Sequence, residues 1–233
     1  MSTSSRIPGC FAALAAQGRK AVIPYIVAGD PLNDVTVPLM HRMVEAGANI
    51  IELGVPFSDP MAEGPVIQRG HERALERGIR LRDTLQMVAE FRTRDTETPV
   101  LLMGYANPVV GMGYGEFADR ARGVGLDALL TVDMPPEEVE ALNTELKRVG
   151  IDNIFLVAPT TPAERVRKIT DVATGFVYYV SLKGVTGAGH MDAQDVATHV
   201  DLIRRHSRLP VAVGFGIKDA ESAARVARNA DGV

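Results

Sequence analysis

Short, almost continuously apolar runs recur along the chain and alternate with segments in which apolar residues return every three or four positions. The runs cover residues 21–29, 49–56, 99–105, 128–135, 153–159, 176–182 and 210–216, and an eighth begins at 231. They lack the strict polar alternation of half-exposed strands. The pattern therefore predicts parallel strands that are buried on both faces.

The segments between the runs have the pattern of amphipathic helices, with acidic residues near several starts and glycine near several ends. Helices are predicted at 37–48, 81–92, 135–150, 161–173, 192–206 and 219–230, with a shorter one around 66–78. Most strand starts are roughly 20–35 residues apart, which is the length of one βα unit. The predicted fold class is α/β, a (β/α)8 TIM barrel, and a doubly wound open sheet is the alternative.

No linker or change of composition divides the chain, so residues 1–233 are expected to form one barrel domain. The segment 231–233 is interpreted as the beginning of strand 8. The end of that strand and the final helix, about 30 residues by barrel arithmetic, are expected to be missing from this sequence. The domain is therefore predicted to be incomplete at its C-terminus.

The composition excludes several classes of protein. A hydrophobic content of 46% excludes intrinsic disorder, and a formal net charge of −4 gives no reason to expect a nucleic acid or an anionic membrane as partner. The single cysteine, Cys10, allows no internal disulfide. The sequence has neither a run long enough to span a membrane nor a secretory signal, so a soluble cytoplasmic protein is expected.

Sequence motifs for metals and nucleotides are also missing. The five histidines show no HxH or HExxH spacing, which predicts no metal site. Dinucleotide, Walker and serine-hydrolase motifs do not occur. Instead, two long connections, 57–80 and 183–191, follow strands 2 and 6, and loops in that position form the active-site face of a barrel.

Two glutamates are the first candidates for chemistry. Glu52 is an acid inside an apolar strand, where burial should raise its pKa towards neutrality and let it both donate and accept a proton. Glu63 follows on the next loop, and two carboxyls at one barrel mouth can divide these roles. The alternatives are a structural acid at Glu52 and a solvated loop residue at Glu63. Asp59, which precedes a proline, has turn initiation as its alternative role.

Glycines and aromatic residues suggest how a substrate would bind. Several glycines follow strands 6 and 7, where backbone N–H groups can hold a phosphate: Gly184, Gly187, Gly189, Gly214 and Gly216. Aromatic residues are placed on strands 1, 3, 6 and 7, namely Tyr25, Tyr105, Tyr178 and Phe215. Close to one another they would form a pocket for a flat substrate, and core packing is the alternative.

Several segments together resemble the tryptophan synthase alpha chain family. They are PYIVAGDP (24–31), ELGVPFSDPMAEGPVIQ (52–68), MGYANP (103–108), LLTVDMP (129–135), YYVSLKGVTGAG (178–189) and VGFGI (213–217). The resemblance runs in the family's order from about residue 10 to the end. It implies a lyase that cleaves indole-3-glycerol phosphate by a retro-aldol step to indole and glyceraldehyde 3-phosphate.

The resemblance also implies roles for individual residues. Glu52 matches the catalytic glutamate, and Glu63 stands where the family usually has an aspartate that hydrogen-bonds the indole N–H. Substrate-binding positions match Tyr25, Tyr105, Leu130, Tyr178, Thr186 and Phe215, and phosphate-binding positions match Gly187 and Gly216. The longer glutamate requires a different loop position, because a misplacement of about 1 Å can cost on the order of 10²-fold in rate.

Family members work in an α2β2 assembly and pass indole to a beta chain that carries pyridoxal phosphate. The resemblance thus implies a beta-subunit partner and no cofactor in this chain. Asp59, Pro60, Asn107 and Pro108 match positions that the family uses against that partner. Three other interpretations stay open: a weakly catalytic subunit that mainly activates the beta chain, a stand-alone indole-releasing lyase, and a different phosphosugar barrel enzyme.

Overall fold

The computed structural model describes residues 4–180, 193–214, 217 and 219–233. Strands and helices alternate along these residues. The strands are β1 (Tyr25–Val27), β2 (Ile51–Gly54), β3 (Val100–Gly104), β4 (Ala128–Thr131), β5 (Asp152–Val157), β6 (Val177–Val180) and β7 (Val211–Gly214). The helices are α1 (Ile7–Ala16), α2 (Thr36–Glu45), α3 (Pro65–Glu76), α4 (Leu81–Arg92), α5 (Ala106–Met112), α6 (Tyr114–Gly123), α7 (Glu140–Val149), α8 (Ala163–Val172), α9 (Ala193–His206) and α10 (Ala220–Ala227).

The seven strands lie where the apolar runs predict them, and helix α4 has the predicted bounds. Helix α7 differs: it begins at Glu140 rather than at 135, because the two prolines open a turn in which the Glu138 N–H donates to the Pro135 carbonyl at 3.1 Å. It ends, as predicted, at a glycine, and Gly150 adopts the left-handed conformation that this residue favours. Helices α1, α5 and α6 were not predicted.

The chain consists of two compact units. The first comprises Met1–Ile7 and Ile23–Asn153, and the second comprises Pro8–Val22 and Ile154–Val233. That residues 1–233 form a single domain stays a prediction. No helix among the described residues is both long and apolar enough to cross a membrane.

In the first unit, β1 to β4 form a parallel sheet in chain order. Tyr25, Glu52, Leu101 and Ala128 are register partners across the four strands. Strands β2, β3 and β4 are buried along their whole length, which is why they are apolar throughout apart from Glu52 and Thr131. The carboxyl ends of all four strands point the same way and lead into the loops that carry the candidate site.

In the second unit, β5, β6 and β7 are also parallel and in chain order. Parallel bridges join Gly232 to both Ala212 and Ala21, at the place where the eighth strand is predicted to begin. Helix α1 packs here as well, with the rings of Phe11 and Phe176 5.6 Å apart.

A buried ionic cluster fixes the amino ends of β3 and β4 in the first unit. Asp127 has no exposed surface and accepts hydrogen bonds from Arg92 Nη2 at 2.7 Å, from Arg6 Nη1 at 2.9 Å and from the N–H groups of Arg6 and Val100. Arg92 also donates to the carbonyls of Gly125 and Thr98. Each charge in the cluster therefore has a partner of opposite sign.

Candidate active site

Glu52 lies in the middle of β2 with only 2% of its surface exposed. Among the described residues, its Oε1 has no hydrogen-bond partner. Burial raises the pKa of this carboxyl to about 8, because the charged form loses its hydration. At neutral pH Glu52 is thus mostly protonated, and its pKa is close enough to 7 for it to give up a proton and take one back.

Glu63 lies on the loop after the same strand and is 6% exposed. Tyr105 is the residue directly after β3, and its hydroxyl donates a hydrogen bond to Glu63 Oε2. The Ala62 N–H donates to the same Tyr105 hydroxyl at 3.0 Å, and the Gln68 amide donates to the Glu63 carbonyl at 2.8 Å. These contacts connect the loop both to the end of β3 and to α3: Tyr105 holds the Glu63 carboxylate, and Gln68 holds the Glu63 backbone.

Opposing effects act on the second carboxyl. Burial raises the pKa of Glu63, and the nearby charge of Asp133 adds to that effect, while the Tyr105 hydroxyl lowers it by stabilising the carboxylate. The pKa of Tyr105 is itself raised, first by burial and then by its bond to Glu63. Tyr105 therefore keeps its proton and acts as the donor. Asp133 is held in place by the Ala106 N–H, which donates to it at 2.7 Å at the start of α5.

Tyr25 and Leu130 lie on the outer strands of the same four-stranded sheet. The Tyr25 side chain is half-buried and its hydroxyl packs so closely over Gly54 that a Cβ at that position would overlap it. Gly54 and Glu52 are two residues apart on β2 and so share one face of the strand. Leu130 is fully buried and is the register partner of Met103. The first unit thus contains Tyr25, Glu52, Glu63, Tyr105 and Leu130.

Tyr178 belongs to β6 in the second unit, where it is half-buried and its hydroxyl packs against Gly214. The other predicted substrate- and phosphate-binding positions lie outside the described residues. They are Thr186, Gly187, Phe215 and Gly216, together with the loop 183–191.

The four positions that the family resemblance assigns to a partner surface differ in exposure. Asp59 is exposed and accepts a hydrogen bond from Ser58 Oγ at 2.5 Å. Asn107 is exposed and Pro108 is half-buried on α5, whereas Pro60 is buried. Pro60 can therefore contribute to a partner surface only indirectly, by shaping the loop that carries Asp59.

Two residues of the site, Asp133 and His71, were not predicted from the sequence. Asp133 influences both Glu63 and Tyr105, and His71 of α3 is 1% exposed and bonded to two segments of the site wall. His71 lies on the buried face of α3 together with Gly70 and Ala74. This helical spacing is the one sequence feature that could have indicated a buried histidine. In the described ranges, no group of three or more histidine, cysteine or acidic side chains is arranged to hold a metal ion.

A buried protonated carboxyl and a second carboxyl held by a tyrosine, both placed by one parallel β/α sheet, are the groups of an acid–base enzyme. The family model described as "Tryptophan synthase alpha chain" matches residues 11–233. The chain belongs to the tryptophan synthase alpha chain family.

Individual relatives agree with the family model. The chain is 60% identical to the tryptophan synthase alpha chain of Nitrosococcus oceani over 97% of its own length and 84% of the relative's. It superposes on the crystal structure of tryptophan synthase subunit alpha from Legionella pneumophila with a TM-score of 0.90 at 46% identity, covering 98% of this chain and 84% of that one. A tryptophan synthase complex from Pyrococcus furiosus matches with a TM-score of 0.81 at 38% identity, covering 91% and 85%.

The predicted fold class, an α/β TIM barrel, is confirmed by these structures. The predicted activity follows from the family. The chain is a carbon–carbon lyase of tryptophan biosynthesis that cleaves indole-3-glycerol phosphate.

Proposed function

We propose that Glu52 is the proton-transfer group of this cleavage and that Glu63 binds the indole N–H. In the retro-aldol step, the bond between indole C3 and the adjacent carbinol carbon breaks. The carbinol hydroxyl loses its proton and becomes the aldehyde of glyceraldehyde 3-phosphate, while C3 of the ring gains a proton. One proton donor and one acceptor are therefore enough, and no oxidant or reductant enters the balance.

The single observation that carries the proposal is the state of Glu52. A carboxyl with a pKa of about 8 holds its proton at neutral pH and can deliver it to C3. The resulting carboxylate then takes the proton of the carbinol hydroxyl, which returns Glu52 to its starting state. Because its Oε1 has no partner among the described residues, this oxygen is available to the substrate.

Protonation of C3 places positive charge on the indole nitrogen, and Glu63 is the group that stabilises it. Tyr105 donates to Oε2 of Glu63, and we assign Oε1 as the acceptor of the indole N–H. The Tyr105 bond and the Ala62 N–H position a side chain that is one methylene longer than the family's usual aspartate. Two carboxyls with opposite tasks in one site are a common arrangement for acid–base catalysis.

The remaining substrate contacts follow from the family motifs. We propose that Tyr25, Leu130 and Tyr178, with Tyr105, contact the indole or its side chain. We propose that Thr186 positions the loops and that Phe215 forms part of the pocket wall. Gly187 and Gly216 are proposed to bind the phosphate.

For the partner, we propose a tryptophan synthase beta subunit in an α2β2 assembly that receives the indole. The supporting observation is that three large apolar side chains of the first unit are exposed: Met61 by 85%, Val66 by 75% and Val110 by 52%. A cavity of about 460 Å³ also lies between the loop at Pro56–Ser58 and the α5 residues Pro108, Gly111 and Met112. Pyridoxal phosphate would belong to that subunit, so this chain is proposed to need no cofactor and to work in the cytoplasm.

The test is indole release from indole-3-glycerol phosphate by the wild-type chain and by Glu52→Gln, alone and with a purified beta chain. Loss of a general acid–base group predicts a rate lower by about 10²–10⁴-fold. Glu45→Gln, a change on the surface of α2, is the matched control and should keep the wild-type rate. A Glu52→Gln rate within twofold of wild type would contradict the role of Glu52. Failure of the two chains to co-elute would contradict the partner.

A further inference from the structure

His71 of α3 connects two walls of the candidate site. Its Nδ1 lies 3.1 Å from the backbone nitrogen of Phe57, on the loop after β2. Its Nε2 lies 3.3 Å from the hydroxyl of Tyr25 on β1. The two contacts span 14 and 46 residues of sequence, so one ring joins three elements of the first unit.

The first contact determines where the ring carries its proton. A backbone N–H can only donate, so Nδ1 must present a lone pair to Phe57. The neutral ring then carries its hydrogen on Nε2, and this N–H donates to the Tyr25 oxygen. Burial lowers the pKa of His71, which favours the same neutral form. The phenol proton of Tyr25 is consequently directed to an acceptor other than His71.

We propose that His71 is a positioning residue for the lyase reaction, acting through the Phe57 N–H on the segment that carries Glu63. The connection can be followed contact by contact. The Phe57 ring stacks on the Tyr105 ring, with centroids 4.7 Å apart and planes at 18°, and Tyr105 donates to Glu63. Loss of the Nδ1 acceptor frees the Phe57 backbone, and with it the ring that supports Tyr105.

The charged groups around His71 leave this hydrogen bond intact at neutral pH. Asp30 is the charged group that raises the His71 pKa, and burial outweighs it. Asp30 is itself paired with Arg73 of α3 through contacts of 2.6 and 2.8 Å. Tyr25 faces the ring from β1, and from the loop after β2 the contact is the uncharged Phe57 backbone.

The kinetic test distinguishes the Nδ1 contact with Phe57 from the Nε2 contact with Tyr25, and it rests on the proposed function. In His71→Asn the amide oxygen occupies nearly the place of Nδ1 and still accepts from Phe57. In His71→Gln the amide nitrogen occupies nearly the place of Nε2 and keeps only the Tyr25 side. We expect kcat for indole release to fall on the order of 10-fold in His71→Ala and His71→Gln, and to recover to within about threefold of wild type in His71→Asn.

His41→Asn is the matched control, because His41 is a partly buried histidine whose ring stacks on Phe91, at 4.7 Å, rather than on a site residue. It should leave kcat unchanged. Wild-type kcat in all three His71 variants would overturn the proposal. Equal losses in all three with a parallel fall in Tm would also overturn it, since that result indicates packing alone.

A second measurement does not depend on activity. Nitrogen-15 NMR of the imidazole distinguishes a bare Nδ1 from a protonated one, and the signal that disappears in His71→Asn belongs to His71. We expect a bare Nδ1 and a protonated Nε2 at pH 7. A proton on Nδ1 would overturn the inference even if indole is released, whereas a chain without lyase activity that shows the expected tautomer would contradict the proposed function alone.

Discussion

Asp127 and Glu52 are both buried carboxyls of the first compact unit, and their surroundings are opposite. Asp127 precedes β4 and accepts four hydrogen bonds, from two arginine side chains and two backbone N–H groups. Glu52 lies within β2, and its Oε1 is buried without a partner among the described residues. Both carboxyl oxygens of Asp127 thus have hydrogen-bond partners, whereas one oxygen of Glu52 has none among the described residues.

The difference lies in the partners of the two acids, because their positions along the strands are similar. The amino ends of β3 and β4 meet at Asp127, where a paired charge joins segments that are far apart in sequence and contributes to stability. Glu52 lies within β2, level with Leu101 and Ala128 in the register. A buried carboxyl oxygen that has no partner among the described residues costs stability, but such an acid can transfer a proton. Burial alone therefore does not indicate the role of an acid, whereas its set of partners does.

The largest expected effect is on the stability of the Asp127 cluster. Asp127→Asn removes the negative charge that Arg92 and Arg6 face. Arg92, whose side chain is 9% exposed, then keeps only the more distant carboxylate of Asp95, at 3.9 Å, as its counter-charge. We expect the free energy of unfolding to fall by about 3–5 kcal/mol. The isosteric change Glu52→Gln removes no such pairing and should cause no loss. Urea denaturation followed by circular dichroism measures both, and equal losses in the two variants would break the comparison.

The pH dependence of stability is the next largest effect. The Glu52 carboxyl titrates near 4.5 when unfolded, and burial raises its pKa to about 8 in the folded protein. Between these values the folded state binds more protons than the unfolded state, so Glu52 makes the protein less stable as pH rises from 4.5 towards 8. Relative to Glu52→Gln, the wild type should lose about 3 kcal/mol between pH 5 and pH 8.

The measurement is urea denaturation at several pH values, with Glu45→Gln as a control for a surface carboxyl. The control should follow the wild-type curve throughout. A constant difference between wild type and Glu52→Gln across this range would mean that the folded carboxyl titrates normally, and the acid role of Glu52 would lose its basis.

Local sequence signals were enough for much of the fold. Continuous apolar runs identified β1 to β7, because strands buried on both faces need apolar residues at every position. The same pattern identified Glu52, because it is the one acidic residue in the apolar run 49–56. The start of α7 was misplaced because Pro135 and Pro136 suit both a first helical turn and an ordinary turn. Helix α5 was missed, since its sequence ANPVVGM contains both proline and glycine.

The contacts within the site could not be predicted in the same way. The bond from Tyr105 to Glu63 joins residues 42 apart, and the bond from His71 to Tyr25 joins residues 46 apart. Neither pair has a spacing that a helix or a strand would impose. Such contacts depend on which strands are neighbours and on the register between them. The family motifs supplied the roles of Glu63 and Tyr178, whereas His71 and Asp133 required the structure.

The smallest expected effect measures how much of the stabilisation of Asp127 comes from Arg6. Arg6→Ala removes one of two arginines from Asp127, and the side chain of Arg6 is 29% exposed. Because Arg92 and two backbone N–H groups stay, we expect a loss of about 1–2 kcal/mol, less than for Asp127→Asn. Arg42→Ala is the matched control: it breaks the ion pair with Glu45 on the surface of α2, where the arginine is 80% exposed, and should cost less than about 0.5 kcal/mol.

Urea denaturation at low and high salt distinguishes the two arginines, because salt screens the exposed pair more than the buried one. If Arg6→Ala costs no more than Arg42→Ala, then Arg92 and the backbone alone hold Asp127. If it costs as much as Asp127→Asn, the cluster fails as a unit once any member is lost. Only an intermediate value supports the view that Asp127 is stabilised by several partners at once, which is the property that Glu52 lacks.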